Sequence, residues 1–256
     1  MQRYGGELVY HGRDAHGVLE VVDTHGIRSL HFGTEPRQSA LSLRYPNRLE
    51  LAYMRAMFSA LLFIDGLSRV LLIGLGGGSS ARFLLEQFPN STVDAIERRP
   101  AVVEVAHDYF GLPRDSRLSV HIGEASQLVA ALARQQGEVY DLILIDAFDH
   151  LGMDPSINAL DFMAACATLL NPKGVLDMNL WGSHPVSLKQ SIALLKTCFP
   201  GKAFRLEVPN RGNVIGLGLG RDTGMVKLKQ LEPLARELEF GTGLEIPYFL
   251  RKLRPI

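Results

Sequence analysis

The sequence predicts a doubly wound α/β domain, a mostly parallel sheet with an antiparallel last strand, behind a small antiparallel β domain. Three observations predict it. From residue 70 onward, short apolar runs alternate with stretches of helical period. The runs VLLI and LILI are apolar throughout, as strands buried on both faces of a parallel sheet must be. The first of them also runs straight into GLGGG, a glycine-rich turn that opens a helix.

The elements follow in order. Between about residues 8 and 43, GVLEVVD, THG, IRSLHFG and QSALSL read as short strands separated by turns, ending at the break Tyr45-Pro46-Asn47. RLELAYMRAMFSALLFI has helical spacing, with Leu49, Ala52, Tyr53, Ala56 and Ala60 on one face. VLLIG then leads to the helix SARFLLEQF, and TVDAIE to a helix starting at Pro100, a favourable first-turn proline. LSVHIG precedes SQLVAALARQ; YDLILID precedes a loop and INALDFMAACATLL, which Pro172 and Gly174 stop before VLDMNLW. PVSLKQSIALLKTCF leads to the hairpin FRLEVPNRGNVIGLGLG, an antiparallel sheet edge, and the tail KLKQLEPLARELEF reads as a packed helix. The expected division is a β domain over 1–47 and a Rossmann-like nucleoside-binding domain over 48–256.

Composition narrows the function classes. The chain has 256 residues, 46% hydrophobic, with 27 basic and 27 acidic side chains. A formal charge of zero leaves no basic footprint for nucleic acid. The N-terminus lacks the apolar core of a signal peptide, and no apolar run is long enough to span a bilayer. Cys166 and Cys198, the two cysteines, read as buried free thiols in a reducing compartment. The expectation is a cytoplasmic protein without nucleic-acid or membrane partners. The eight histidines are scattered without ligand spacing, so no metal is expected. No GxSxG elbow or Cys-His arrangement supports a hydrolase.

The chemistry gathers at strand ends. In Gly74-Leu75-Gly76-Gly77-Gly78 the chain needs a tight turn and a close backbone approach to a ligand, which glycine permits. Glu97 ends the next strand, about 20 residues further on, where a carboxylate accepts both ribose hydroxyls. Glu124, after the third strand, stands where it can accept from an adenine amino group. Asp146 ends the fourth strand. Ligands of such sheets bind outside the carboxyl ends of the strands, where all four features fall. The acid after the third strand leans towards S-adenosylmethionine over NAD.

VLLIGLGGGSSARFL, VDAIERRPAVVEVAHDYFGLPRDSRLSVHIGEASQLV and YDLILIDAFDHLG together resemble the spermidine/spermine synthase family, the polyamine aminopropyltransferases. The likeness covers about residues 30–219, and Gly33, Gln38, Glu50 and Tyr53 fit the family's "LDG..Q…DE…YHE" stretch approximately. It implies an N-terminal β domain, a homo-oligomer, a small-molecule amine acceptor, and S-adenosylmethionine or its decarboxylated form as donor. It seats the donor on Gln38, Gly74, Gly76, Gly77, Gly78, Glu97, Arg98, Gly123, Glu124, Ala125 and Asp146. It assigns catalysis to Asp146, Asp149 and Tyr53, with Asp146 as base and residues 150–158 as a lid. The base is needed because an aliphatic amine, with a pKa of about 10, is protonated in water.

The sequence also departs from that family. Gly77 stands where the family has a loop aspartate that would hold the donor's amine and repel a carboxylate on intact S-adenosylmethionine. Tyr53-Met54-Arg55 replaces Tyr-His-Glu, and Asn210 and Arg211 replace the Thr-Tyr of "PTYPSG". Burying a diamine dication needs paired carboxylates. If Arg55 or Arg211 faced the pocket, putrescine would bind poorly; if both point to solvent, the field changes less. Three readings therefore stand: aminopropyl transfer to an acceptor other than putrescine, methyl transfer from intact S-adenosylmethionine, or nucleoside binding without catalysis. Trp181 is either a substrate cover or a packing aromatic, and Ser79 and Ser80 either cap their helix or face the cofactor.

Overall fold

The structure is a computed structural model that describes residues 1–135, 137, 139–149, 152–209 and 212–256, with the backbone alone at 148, 149, 152 and 153. Its N-terminal sheet is five-stranded and antiparallel, in chain order: β1 (Gln2–Arg3), β2 (Gly6–Asp14), β3 (Gly17–Thr24), β4 (Ile27–His31) and β5 (Arg37–Ser42). Two of its turns are two-residue loops with positive φ at both positions, Tyr4-Gly5 and His25-Gly26. That geometry matches the twist of the strands it joins.

The segment after β5 was expected to be one helix. It forms a short α1 (Ala52–Met57) that tightens into a 3₁₀ turn over Phe58–Phe63. Phe58 to Leu62 are buried without a solvent face, so packing rather than a helical stripe decides the winding.

The main sheet has eight strands. Its first half winds through β6 (Arg69–Ile73), α2 (Ser79–Gln87), β7 (Thr92–Glu97), α3 (Pro100–Phe110) and β8 (Leu118–Ile122). The second half runs through α4 (Ala125–Gln135), β9 (Tyr140–Ile145), the small antiparallel pair β10 (Phe148–Asp149) and β11 (Gly152–Met153), α5 (Leu160–Leu169) and β12 (Leu170–Trp181). The sequence predicts a loop after YDLILID, and within it residues 148–149 and 152–153 pair as two short strands. α6 (Pro185–Cys198), β13 (Ala203–Glu207), β14 (Asn213–Leu219), α7 (Glu232–Thr242), α8 (Ile246–Lys252) and β15 (Arg254–Pro255) complete the chain.

The strand order is β15-β13-β14-β12-β9-β6-β7-β8, parallel from β12 to β8 and antiparallel across β12-β14-β13-β15. From β6 the chain winds outward to β8, then returns to the other side of β6 as β9. The crevice between β6 and β9 is thus the topological switch point, where such sheets bind ligands. Two apolar cores cover the two faces. One joins α1, the 3₁₀ turn, α2, α7 and α8 to Leu72, Leu144 and Ile215; the other joins α4, α5 and α6 to Ile73, Ile145 and Met178.

A third cluster joins the two sheets. Leu19, Val21, Leu30 and Leu41 pack on Val102, Val105 and Phe110 of α3. Phe110 is fully buried there, which stabilises the junction by roughly 1.5–3 kcal/mol. Polar links reinforce it: Arg28 Nη1 donates to the Tyr109 carbonyl at 2.9 Å, and Arg99, 4% exposed, pairs with Asp14 at 2.9 Å. Cys166 is buried and Cys198 half-buried, and both are free thiols.

Candidate active site

A cleft of about 300 Å³ opens over the carboxyl ends of β6, β7 and β9, roofed by β5 and α1. Its lining includes Gln38, Gly74, Gly76, Glu97, Arg98, Gly123, Glu124, Ala125, Asp146 and Tyr53. These were singled out from the sequence, and the fold brings them together. Gly77 and Gly78 are not among the lining residues. A Cβ on Gly77 would meet the Phe110 ring at 2.8 Å and Ser39 Cβ at 3.0 Å, and one on Gly78 would meet Leu112 at 2.7 Å. Both glycines let the turn pack against its neighbours.

The turn needs glycine for two different reasons. Gly74 has φ +92°, and a Cβ there would collide with the Asp146 carbonyl on the adjacent strand. Gly76 has φ +53° and lies under Ser39, whose Oγ would stand 2.6 Å from its Cβ. The same Ser39 Oγ accepts the Gly77 N–H at 2.7 Å, so β5 holds the turn from outside the main sheet. Gly78 caps α2 through its backbone alone, without a side-chain bond. Ser79 therefore does not cap; it is buried with its Oγ unpartnered, while Ser80 lines the cleft.

Glu97 organises the donor end. Its Oε2 accepts the Leu75 N–H at 3.1 Å and its Oε1 the Arg99 N–H at 2.9 Å. A carboxylate offers about four lone-pair positions, so two stay available to a pair of hydroxyls. Beyond it lie Gly123, Glu124 and Ala125, at the turn from β8 into α4. This donor set, two acids on successive strand ends and glycine backbone between them, fits a ribonucleoside and supports the S-adenosylmethionine reading. Arg98 also lines the cleft, 3.6 Å from Asp154 in the turn after β11.

The opposite end is built around Asp146. Its Oδ2 accepts the Tyr53 hydroxyl at 3.1 Å, and its Oδ1 accepts Asn179 Nδ2 at 2.9 Å. Asn179 Oδ1 accepts Asn213 Nδ2 at 3.0 Å, which fixes the amide's orientation. Burial raises the Asp146 carboxyl above the ordinary carboxylate range, and the Asn179 and Tyr53 donors pull it the other way. Burial and the facing Asp146 push the Tyr53 phenol well up, so it stays a donor.

Asp177 lies two residues before Asn179 on β12, opposite Leu144. It is 0% exposed, and neither carboxylate oxygen has a hydrogen-bond partner. Burial, and secondarily the charge of Asp146, drive its carboxyl well above the ordinary range, so it stands protonated.

Arg55 does not line the cleft. Its guanidinium pairs with Glu245 at 3.0 Å and donates to the Leu49 and Glu50 carbonyls. Of the two arginines considered for the pocket, this one is spent on α8's approach. The side chain of Asp149, together with His150, Asn210 and Arg211, lies outside the described residues. Trp181 lines the cleft, its ring centroid 4.9 Å from that of His184.

The sequence reading missed Asn179, Asp177, Arg99 and Arg37. A signal existed for the first two: in VLDMNLW, two polar residues at i and i+2 share one face of a strand otherwise fit for full burial. Arg37 had none, because the junction of the two sheets brings it to the cleft, whereas Arg99 follows Glu97 and Arg98 at the carboxyl end of β7. Among the described residues, no group of three His, Cys, Asp or Glu side chains is placed to hold a metal ion. No described helix is long and apolar enough to cross a membrane.

A glycine turn at the switch point with acids on the following strand ends defines a Rossmann-like S-adenosylmethionine-dependent transferase. Comparison with known proteins agrees. The chain is 34% identical over 240 residues to a polyamine aminopropyltransferase of Chromobacterium violaceum, a match covering 92% of this chain and 89% of that one. It is also 36% identical over 140 residues to a human eEF1A lysine and N-terminal methyltransferase, covering 51% of this chain and 20% of that one. Among solved structures, human Methyltransferase-like protein 13 in complex with SAH superposes with a TM-score of 0.64 and 26% identity, covering 80% of this chain and 95% of that one. No family model matches. The chain belongs to the polyamine aminopropyltransferase family, within the S-adenosylmethionine-binding Rossmann-like superfamily that it shares with methyltransferases. It is an enzyme of the S-adenosylmethionine-dependent transferase class.

Proposed function

We propose that the enzyme uses intact S-adenosylmethionine and transfers its methyl group to the amine of a small-molecule acceptor, with Asp146 as the base. The observation that carries this reading is the closed position at Gly77. Where an aminopropyltransferase pattern has a loop carboxylate, the Cβ position is taken up by Phe110 and Ser39. A carboxylate there is what would attract the amine of a decarboxylated donor and repel the carboxylate of an intact one. The remaining acids support the same reading. Asp154 pairs with Arg98, Glu97 serves the turn and the ribose, and Asp146 is tied to Tyr53 and Asn179. Among the described side chains, which do not include that of Asp149, this leaves no carboxylate pair to hold a dicationic diamine.

S-adenosylmethionine supplies, when bound, a methyl carbon activated by the adjacent sulfonium. The protein's part is orientation and proton transfer. Glu97 and Glu124 hold ribose and adenine, and Gly74 and Gly76 let the backbone approach the donor closely. Asp146 accepts the proton from the acceptor ammonium, freeing its lone pair for attack. Its raised pKa brings it nearer to the working pH, which strengthens it as a base while Tyr53 and Asn179 keep it aimed. Trp181, which lines the cleft, covers the acceptor's body.

A second reading, aminopropyl transfer from the decarboxylated donor, is favoured by the near full-length relationship to the Chromobacterium enzyme. One experiment separates the two. The enzyme is incubated with either donor and a panel of monoamines and diamines, and products are read by mass. A methyl increment from the intact donor is the expected result. An aminopropyl increment from the decarboxylated donor alone sinks the first reading and installs the second.

A further inference from the structure

We infer that Arg37 is the donor-specificity residue of this enzyme: it holds the α-carboxylate of intact S-adenosylmethionine at the glycine-turn end of the cleft. The inference rests on the intact-donor reading above and names the group that makes it work.

The position follows from an irregularity in β5. His31 pairs with Arg37 and Leu30 with Ser39, so Gln38 is an extra residue in the ladder, a bulge. In a regular strand Gln38 would point away from its two neighbours. The bulge re-aims the segment, and Pro36, Arg37, Gln38 and Ser39 all line the cleft. Ser39 fixes where this segment lies, because its Oγ accepts the Gly77 N–H at 2.7 Å. Arg37 is therefore carried on the strand that clamps the glycine turn. Glu97 and Glu124 mark the ribose and adenine end, so the tail of the donor extends the other way, towards Gly74, Gly76 and β5.

The charges agree. Three arginines line the cleft. Arg99 is paired with Asp14 at 2.9 Å, and Arg98 lies 3.6 Å from Asp154. Arg37 has no carboxylate partner among the described residues, and the residue is exposed and lines the cleft. Intact S-adenosylmethionine carries a carboxylate that this fork can grip with two parallel bonds. The decarboxylated donor carries only positive charges, which an arginine at this place repels. Gly77 removes the acid that would favour the decarboxylated donor; Arg37 supplies the opposite charge on the facing wall.

The test is calorimetric titration of wild type, Arg37→Ala and Arg37→Lys with intact and with decarboxylated S-adenosylmethionine, alongside thermal melts of each free protein. Wild type should prefer the intact donor. Arg37→Ala should weaken the intact donor about tenfold or more, the weight of a charge-assisted bond, and leave the decarboxylated donor as tight or tighter. Lysine should restore part of the preference. If wild type prefers the intact donor and the alanine variant keeps that preference, or loses both donors equally, Arg37 is not the specificity residue while the methyl-transfer reading stands. A wild-type preference for the decarboxylated donor overturns both.

Discussion

The two ends of the cleft are built by opposite means. At the donor end, Glu97 is partly exposed and tied to backbone N–H groups of Leu75 and Arg99. Its two hydrogen bonds freeze the turn into a cradle. At the acid end, Asp146 rests on side chains, Tyr53 and Asn179, with the fully buried Asp177 behind it. Burial there favours the proton. One fold thus makes one carboxylate a rigid acceptor and another a base, and the difference lies in what surrounds them, not in residue type.

The contrast can be broken from either end, and the largest effect belongs to the base. Asp146→Asn should cut turnover by about 10²–10⁴-fold. Binding of S-adenosylhomocysteine, followed by calorimetry, should change little. A variant that turns over normally would remove Asp146 from the chemistry.

Next comes the donor end. Glu97→Ala loses the ribose acceptors and two bonds that order the turn, so donor affinity should fall about 10–100-fold, a weight of some 1.4–2.8 kcal/mol. Turnover at saturating donor should fall far less, and steady-state kinetics at several donor concentrations show the split.

Tyr53→Phe is smaller and sharpens the comparison through pH. The hydroxyl lowers the Asp146 carboxyl, against the burial that raises it. Removing it leaves Asp146 higher still, so the acid limb of the kcat/KM profile should move to higher pH. A limb that stays put, or moves down, would mean the limb reports another group.

The smallest effect is on stability. Asp177 is neutral in the folded chain and ionises in the unfolded chain above about pH 4. A raised acid of this kind stabilises fully below the unfolded pKa, and that contribution is lost as pH rises towards the folded pKa. Asp177→Leu removes both the titration and two unpartnered oxygens, each of which costs about 1–3 kcal/mol when buried. The melting temperature should rise at pH 8, with a smaller gain at pH 4. An equal gain at both pH values would show that Asp177 does not titrate between the two states.

Much of this was legible in the sequence because it is written locally. The alternation of strands and helices, the glycine turn, and Glu97, Glu124 and Asp146 all follow from periodicity and from where acids fall at strand ends. What was not legible depends on contacts distant in the chain. Gly77 reads as a ligand-facing glycine, yet Phe110 and Ser39, from two other elements, fill the space beside it. Arg55 looks like a pocket charge until Glu245, near the far end of the chain, takes it. The bulge at Gln38 has no sequence mark at all, and it brings Arg37 to the wall of the cleft. The helix predicted from residue 48 to 64 tightened because burial on all sides overrode its stripe.

The bond from Ser39 to the glycine turn has a thermodynamic consequence. A donor that binds only the folded turn stabilises it by RT ln(1 + [L]/Kd), about 2.7 kcal/mol at a hundredfold excess over Kd. Because β5 clamps that turn and α3 packs under the same sheet, the stabilisation is shared with strands that never touch the donor. Amide exchange in β3 and β4 should therefore slow as donor is added, in step with β5 and the glycine turn. The N-terminal sheet would then act as a remote gauge of cofactor occupancy, readable without following the reaction.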